Sequence, residues 1–213
     1  MGMPGHMHLG VPLAQARVIC VFVYGRGQSP EAMEESVIRH LATRGVAYVL
    51  PRAPQGAWYA ARAVDTLTDT AREELGQSLA LLRGVVAAAA TGVPLVVAGF
   101  SQGACLALEL AFADGAWPGA LVALTGCRVG QAADARARCN LARMPVYLTG
   151  GDADPWIPVQ AFAEAAADLG LAQARLRADV FPDRGHEVSL TEIGVLDAVL
   201  GDLAGGRAVA WGA

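Results

Sequence analysis

Ser101 is the side chain in this sequence best placed for covalent chemistry. It lies in Gly99-Phe100-Ser101-Gln102-Gly103, a G-x-S-x-G motif. An apolar run, residues 94–100, leads into it, and a helix-length segment, 102–114, follows. A serine on such a sharp strand-to-helix turn points its Oγ out of the sheet, beside a helix N-terminus that favours developing negative charge. A glycine on either side lets neighbouring backbone pack against the turn. The plainer alternative is a glycine-rich turn with an N-cap serine; the strand-turn-helix context favours a nucleophile.

A protonated hydroxyl is a poor nucleophile and needs a base. The chain has four histidines: His6, His8, His40 and His186. His186 lies in Phe181-Pro182-Asp183-Arg184-Gly185-His186-Glu187, after the last strand-like run and before the last helix-like one. His40 falls on the solvent side of the first helix. His6 and His8 fall in an N-terminal tail, residues 1–16, where a metal would lack further ligands. His186 is therefore the base, and it must be neutral to accept a proton, so activity is expected to fall in acid.

A carboxylate should orient that imidazole and stabilise its cation. Asp152 and Asp154 both follow the fifth strand-like run, and Asp154 is favoured over Asp152. Asp183 is a weaker rival, three residues before His186, where it reads as a local turn. The oxyanion needs main-chain N–H donors. Gln102, next after the nucleophile, offers one. Arg26, in Tyr24-Gly25-Arg26-Gly27-Gln28, offers the other, with its guanidinium read as solvated. Trp58, Tyr59 and Trp156 are candidates for an apolar acyl pocket. Cys105, one helical turn after the serine, reads as buried packing.

These residues need a scaffold that brings three distant loops together. Short apolar runs at 18–24, 46–50, 94–100, 120–125, 146–149 and 175–181 read as buried strands. Helix-length segments at 30–44, 70–90, 102–114, 159–169 and 190–203 separate them. Thr70 with Glu73, and Ser189 with Glu192, have capping-box spacing. The alternation predicts one α/β domain over 1–213, with a mostly parallel sheet of six or slightly more strands and helices on both faces. Two long connections, 52–69 and 126–143, do not fit the simple alternation; the second has only weak helical signal around 132–141.

Composition excludes much else. Of 213 residues 54% are hydrophobic and 17% charged, so disorder is excluded. A net charge of −4 argues against nucleic acid as a partner. All 16 basic residues are Arg. Without Lys there is no Walker A lysine, Schiff base or Ser-Lys dyad. No apolar run approaches the roughly 18 residues of a membrane span. No signal peptide is visible, so Cys20, Cys105, Cys127 and Cys139 read as reduced thiols of a cytoplasmic protein, with a Cys127–Cys139 disulfide as the alternative.

Gly99-Phe100-Ser101-Gln102-Gly103-Ala104, Gly151-Asp152-Ala153-Asp154-Pro155-Trp156-Ile157-Pro158 and Phe181-Pro182-Asp183-Arg184-Gly185-His186 resemble the phospholipase/carboxylesterase family of α/β hydrolases. Pro51-Arg52-Ala53-Pro54-Gln55-Gly56-Ala57-Trp58-Tyr59 is similar to its bacterial branch. The resemblance spans about residues 17–203. It implies an α/β-hydrolase fold, Asp154 as the triad acid, and Arg26 with Gln102 as the oxyanion hole. The family usually carries a structural His-Gly after the first strand; here Tyr24-Gly25 stands there. Dienelactone hydrolases, a related class, use a cysteine nucleophile, and Ser101 argues against that chemistry.

The expectation is a serine hydrolase acting on small-molecule esters or thioesters, as a monomer or homodimer, without a cofactor, a metal or membrane insertion. Acyl-protein thioesterase, lysophospholipase and peptidase activities share the same triad. A ligand-binding protein on the same fold is the alternative from another class.

Overall fold

The computed structural model describes residues 5–54 and 56–211. Residues 1–4 of the expected tail and Gln55 lie outside them. Among the described residues seven strands form one sheet: β1 (Met7–Gly10), β2 (Val18–Val23), β3 (Val46–Leu50), β4 (Leu95–Phe100), β5 (Gly119–Leu124), β6 (Pro145–Gly151) and β7 (Arg175–Phe181). Their order is β1-β3-β2-β4-β5-β6-β7. All neighbours are parallel except β1 and β3. The helices are α1 (Pro30–Ser36), α2 (Asp69–Ala89), α3 (Gln102–Asp114), α4 (Val159–Leu171) and α5 (Leu190–Ala204). Strands β2, β3 and β4 are buried along their whole length, which is why they read as unbroken apolar runs.

Residues 7–16 are not a tail. Met7–Gly10 pairs antiparallel with β3, Met7 opposite Leu50 and Gly10 opposite Ala47, and a 3-10 turn at Leu13–Gln15 leads into β2. The run is short and only half-buried, so it lacks the apolar signature of its neighbours.

The first helix stops at Ser36 rather than residue 44. Val37 leaves helical geometry (φ −128°, ψ −62°), and Asp197 Oδ1 takes the N–H groups of Ala42 and Thr43 at 3.0 and 2.9 Å. Those donors are thereby lost to a helix. The second helix is capped by Thr68, whose Oγ1 accepts from Ala71 N at 3.1 Å, and not by Thr70. The Ser189–Glu192 capping box is present at α5.

No helix forms in 126–143. Buried charge holds this crossover instead. Arg128 makes a forked pair with Glu109 of α3 at 2.7 and 3.1 Å, reaches Asp168 of α4 at 3.0 Å, and lies 3.7 Å over the Phe112 ring. Cys127 lies beside Cys105, Sγ to Sγ 3.9 Å, and all four cysteines are free thiols.

Candidate active site

The sheet changes winding direction between β2 and β4, and their loops flank one crevice at the strands' carboxyl ends, the usual ligand position in such a sheet. Ser101 sits there between β4 and α3 with φ 54° and ψ −121°, a conformation a non-glycine residue adopts only under constraint. The motif glycines supply that constraint. A Cβ on Gly103 would lie 2.1 Å from Val23 O, and one on Gly99 would lie 2.6 Å from the Gly103 backbone. Only bare backbone lets α3 press onto β2 and β4 tightly enough to form the turn.

His186 Nε2 lies 2.7 Å from Ser101 Oγ, and its Nδ1 lies 2.7 Å from Asp154 Oδ2. The Asp154 side chain is wholly buried. Its other oxygen accepts from Trp156 N and Ile157 N at 2.7 and 3.0 Å, so one carboxylate faces the imidazole and shapes the adjoining wall. Asp152 plays a different part. Its Oδ1 accepts from Asp183 N at 2.6 Å, fixing the turn where Asp183 has φ 56°. His40 is exposed, and His8 sits opposite Val49 in the sheet.

Behind His186 lies a buried network not anticipated from the sequence. Arg184 Nη1 donates to Glu192 Oε2 at 2.5 Å and to Glu187 O at 2.7 Å, and Nη2 donates to Thr125 Oγ1 at 3.0 Å. Thr149 donates to Glu192 Oε1 at 2.5 Å. The histidine loop is thus tied to the ends of β5 and β6 and to α5. The only trace in the sequence is a charged pair eight residues apart, which alone says nothing of burial.

The N–H groups of Arg26 and Gln102 have no partner among the described residues. The Arg26 guanidinium is not simply solvated, contrary to expectation: it donates to the carbonyls of Tyr59, Ala60 and Ala61. The Gln102 side chain does matching work, accepting from Trp58 N at 3.0 Å and donating to Tyr59 O at 2.7 Å. Tyr24 accepts from Ala53 N at 2.6 Å through its hydroxyl and from Trp58 Nε1 at 2.8 Å through its carbonyl.

These bonds decide the fate of the aromatic candidates. A cavity of about 290 Å³ adjoins Ser101 and His186, lined in part by Tyr59, Trp156, Ile157 and Cys105. Cys105 therefore faces the cavity as well as the core. Trp156 stays 59% exposed at its mouth. Trp58 does not line this cavity. It is only 3% exposed and packs on Tyr24, ring centroids 5.1 Å apart, behind the loop it anchors. Its indole N–H needed an acceptor, and the Tyr24 carbonyl supplied one away from the pocket. Trp58→Phe is expected to cost about 1–2 kcal/mol from the lost hydrogen bond and packing, with the preference for acyl length unchanged. Thermal melts and an ester series would check both halves.

The Tyr59 hydroxyl is buried and has no hydrogen-bond partner among the described residues. Burial raises its pKa well above the ordinary phenol range, so it remains a neutral donor.

A serine held at a strained elbow on a central parallel strand, bonded to a histidine in the last strand-to-helix loop, defines an α/β hydrolase. Residues 10–200 match the model of the phospholipase/carboxylesterase family, and the chain belongs to that family. Among solved structures it resembles a phospholipase/carboxylesterase from Dyadobacter fermentans, with 28% identity and TM-score 0.80 over 92% of this chain and 95% of that one. It also resembles acyl-protein thioesterase 2 of Zea mays (19% identity, TM-score 0.72, 92% and 99% covered) and the Bacillus cereus carboxylesterase (17%, 0.72, 92% and 92%). No curated protein matches the sequence.

Proposed function

We propose that this protein is a serine carboxylesterase for small, soluble esters of short to medium acyl chains. The observation that carries the reading is the unbroken line from Ser101 through His186 to Asp154, in two contacts of 2.7 Å. Ser101 Oγ attacks the ester carbonyl as His186 Nε2 takes its proton. The Arg26 and Gln102 N–H groups receive the oxyanion. His186 then protonates the leaving alcohol, and water attacks the acyl enzyme by the same route. A thiol leaving group would follow the same steps.

The pocket wall favours monomeric substrates over an oil surface. The 52–69 connection is pinned by Arg26 and Gln102, and again by Gly130 N to Ala63 O at 2.7 Å and Leu67 N to Asp134 at 3.0 Å. A segment tied at both ends serves as a wall rather than a swinging lid. Among the described residues no helix is long and apolar enough to cross a membrane. Four free thiols fit a reducing cytoplasm.

The test is a 4-nitrophenyl ester series run beside fluorophosphonate labelling. Stoichiometric label on Ser101 is expected, with the fastest turnover at about four to eight acyl carbons, as a small partly apolar pocket should give. An unlabelled serine, or emulsified long-chain triglyceride outrunning a soluble butyrate, would sink the reading.

A further inference from the structure

Arg26 and Arg62 line the cavity beside Ser101, and among the described residues no Asp or Glu lines it. Asp154 is sealed behind the imidazole. Arg26 is bound to three neutral carbonyls, which hold the group still and leave its charge uncancelled. Arg62 follows that clamped stretch directly. Its backbone is fixed where Arg62 N donates to Asp65 Oδ2 at 3.0 Å, while its exposed guanidinium has no hydrogen bond or ion pair with any described residue. Two arginines in the lining of one small cavity, with no carboxylate side chain among its lining residues, are chemistry for an anion rather than for a plain alkyl end.

We propose that the pocket selects esters that carry a carboxylate close to the scissile bond, with Arg62 as its charge partner. The proposal rests on the serine-esterase reading above. The carboxylate can come from either side of the ester: a dicarboxylic half-ester presents it on the acyl part, and an acylated hydroxy acid on the alcohol part.

Two matched pairs separate these sources. The acyl pair is 4-nitrophenyl hydrogen adipate against its methyl ester. The alcohol pair is 4-butyryloxybenzoate against its methyl ester. In at least one pair the charged member is expected to have the higher kcat/KM by about five- to tenfold at low salt, as a partly exposed charged hydrogen bond should give. The pair that shows the preference names the source. About 0.5 M salt should shrink the preference to about twofold, because exposed charges are screened. Arg62→Gln should bring the ratio of charged to neutral substrate near unity. A neutral member equal or superior in both pairs, or a preference that survives Arg62→Gln, overturns the proposal. No turnover of any of the four esters, with Ser101 unlabelled, would instead fall on the esterase reading and take this proposal with it.

Discussion

Ser101→Ala and His186→Ala are each expected to lower kcat by about 10⁴-fold or more, with the melting curve little changed. On the proposed mechanism, either change leaves the Arg26 and Gln102 N–H donors in place and removes the nucleophile or the group that would activate it. Because the two act as one unit, the double variant should be hardly worse than either single one. Asp154→Ala should cost somewhat less, about 10³-fold, since an imidazole without its anchor still samples the right orientation some of the time. Its KM should also rise, because Asp154 holds the N–H groups of Trp156 and Ile157 in the pocket wall. Asp152→Ala should stay within about tenfold of wild type, since Asp152 only braces the histidine loop through Asp183 N. Steady-state kinetics on a soluble butyrate ester would decide. Greater damage at Asp152 than at Asp154 would overturn the choice of acid.

The second large effect concerns stability. Glu192→Ala is expected to destabilise the protein by about 3–5 kcal/mol, since it strands the Arg184 charge in the interior. For a chain of this size that is a fall of about 10 °C in Tm. Replacing both partners, as Arg184→Met with Glu192→Leu, leaves no buried charge and should recover most of that loss. Activity should not recover with it, because the ties from Arg184 to Thr125 and the Glu187 carbonyl are also gone. Calorimetry and kcat on the same three proteins separate the two contributions. A single variant melting within about 2 °C of wild type would show that the pair is not what holds the loop.

Much of this was legible because buried parallel strands and the elbow impose strict local rules. The six long strands fall within one or two residues of their expected ends, with β6 running on to Gly151. Glycines 99 and 103 announce the turn because no other residue fits the contacts they make. What stayed hidden depended on partners remote in sequence. Nothing near residue 42 reveals that Asp197 will take its N–H. Nothing near Trp58 shows that Tyr24 and Gln102 will fold the indole away from the pocket. The strand at Met7–Gly10 owes its existence to the free edge of β3, which local pattern cannot supply.

That short strand has a practical meaning for anyone handling the protein. It covers one rim of β3, whose five residues, Val46 to Leu50, are all buried and apolar or aromatic. An uncovered rim of that kind presents a row of main-chain donors and acceptors to any passing chain and templates sheet growth between molecules. Trimming the first ten residues as dispensable, or forcing a bulky fusion against them, would therefore exchange a short, half-exposed edge strand for a longer apolar one. The far rim tolerates more. Strand β7 is half-buried or exposed throughout and carries Arg175, Arg177 and Asp179, and charged residues of that kind blunt an edge strand.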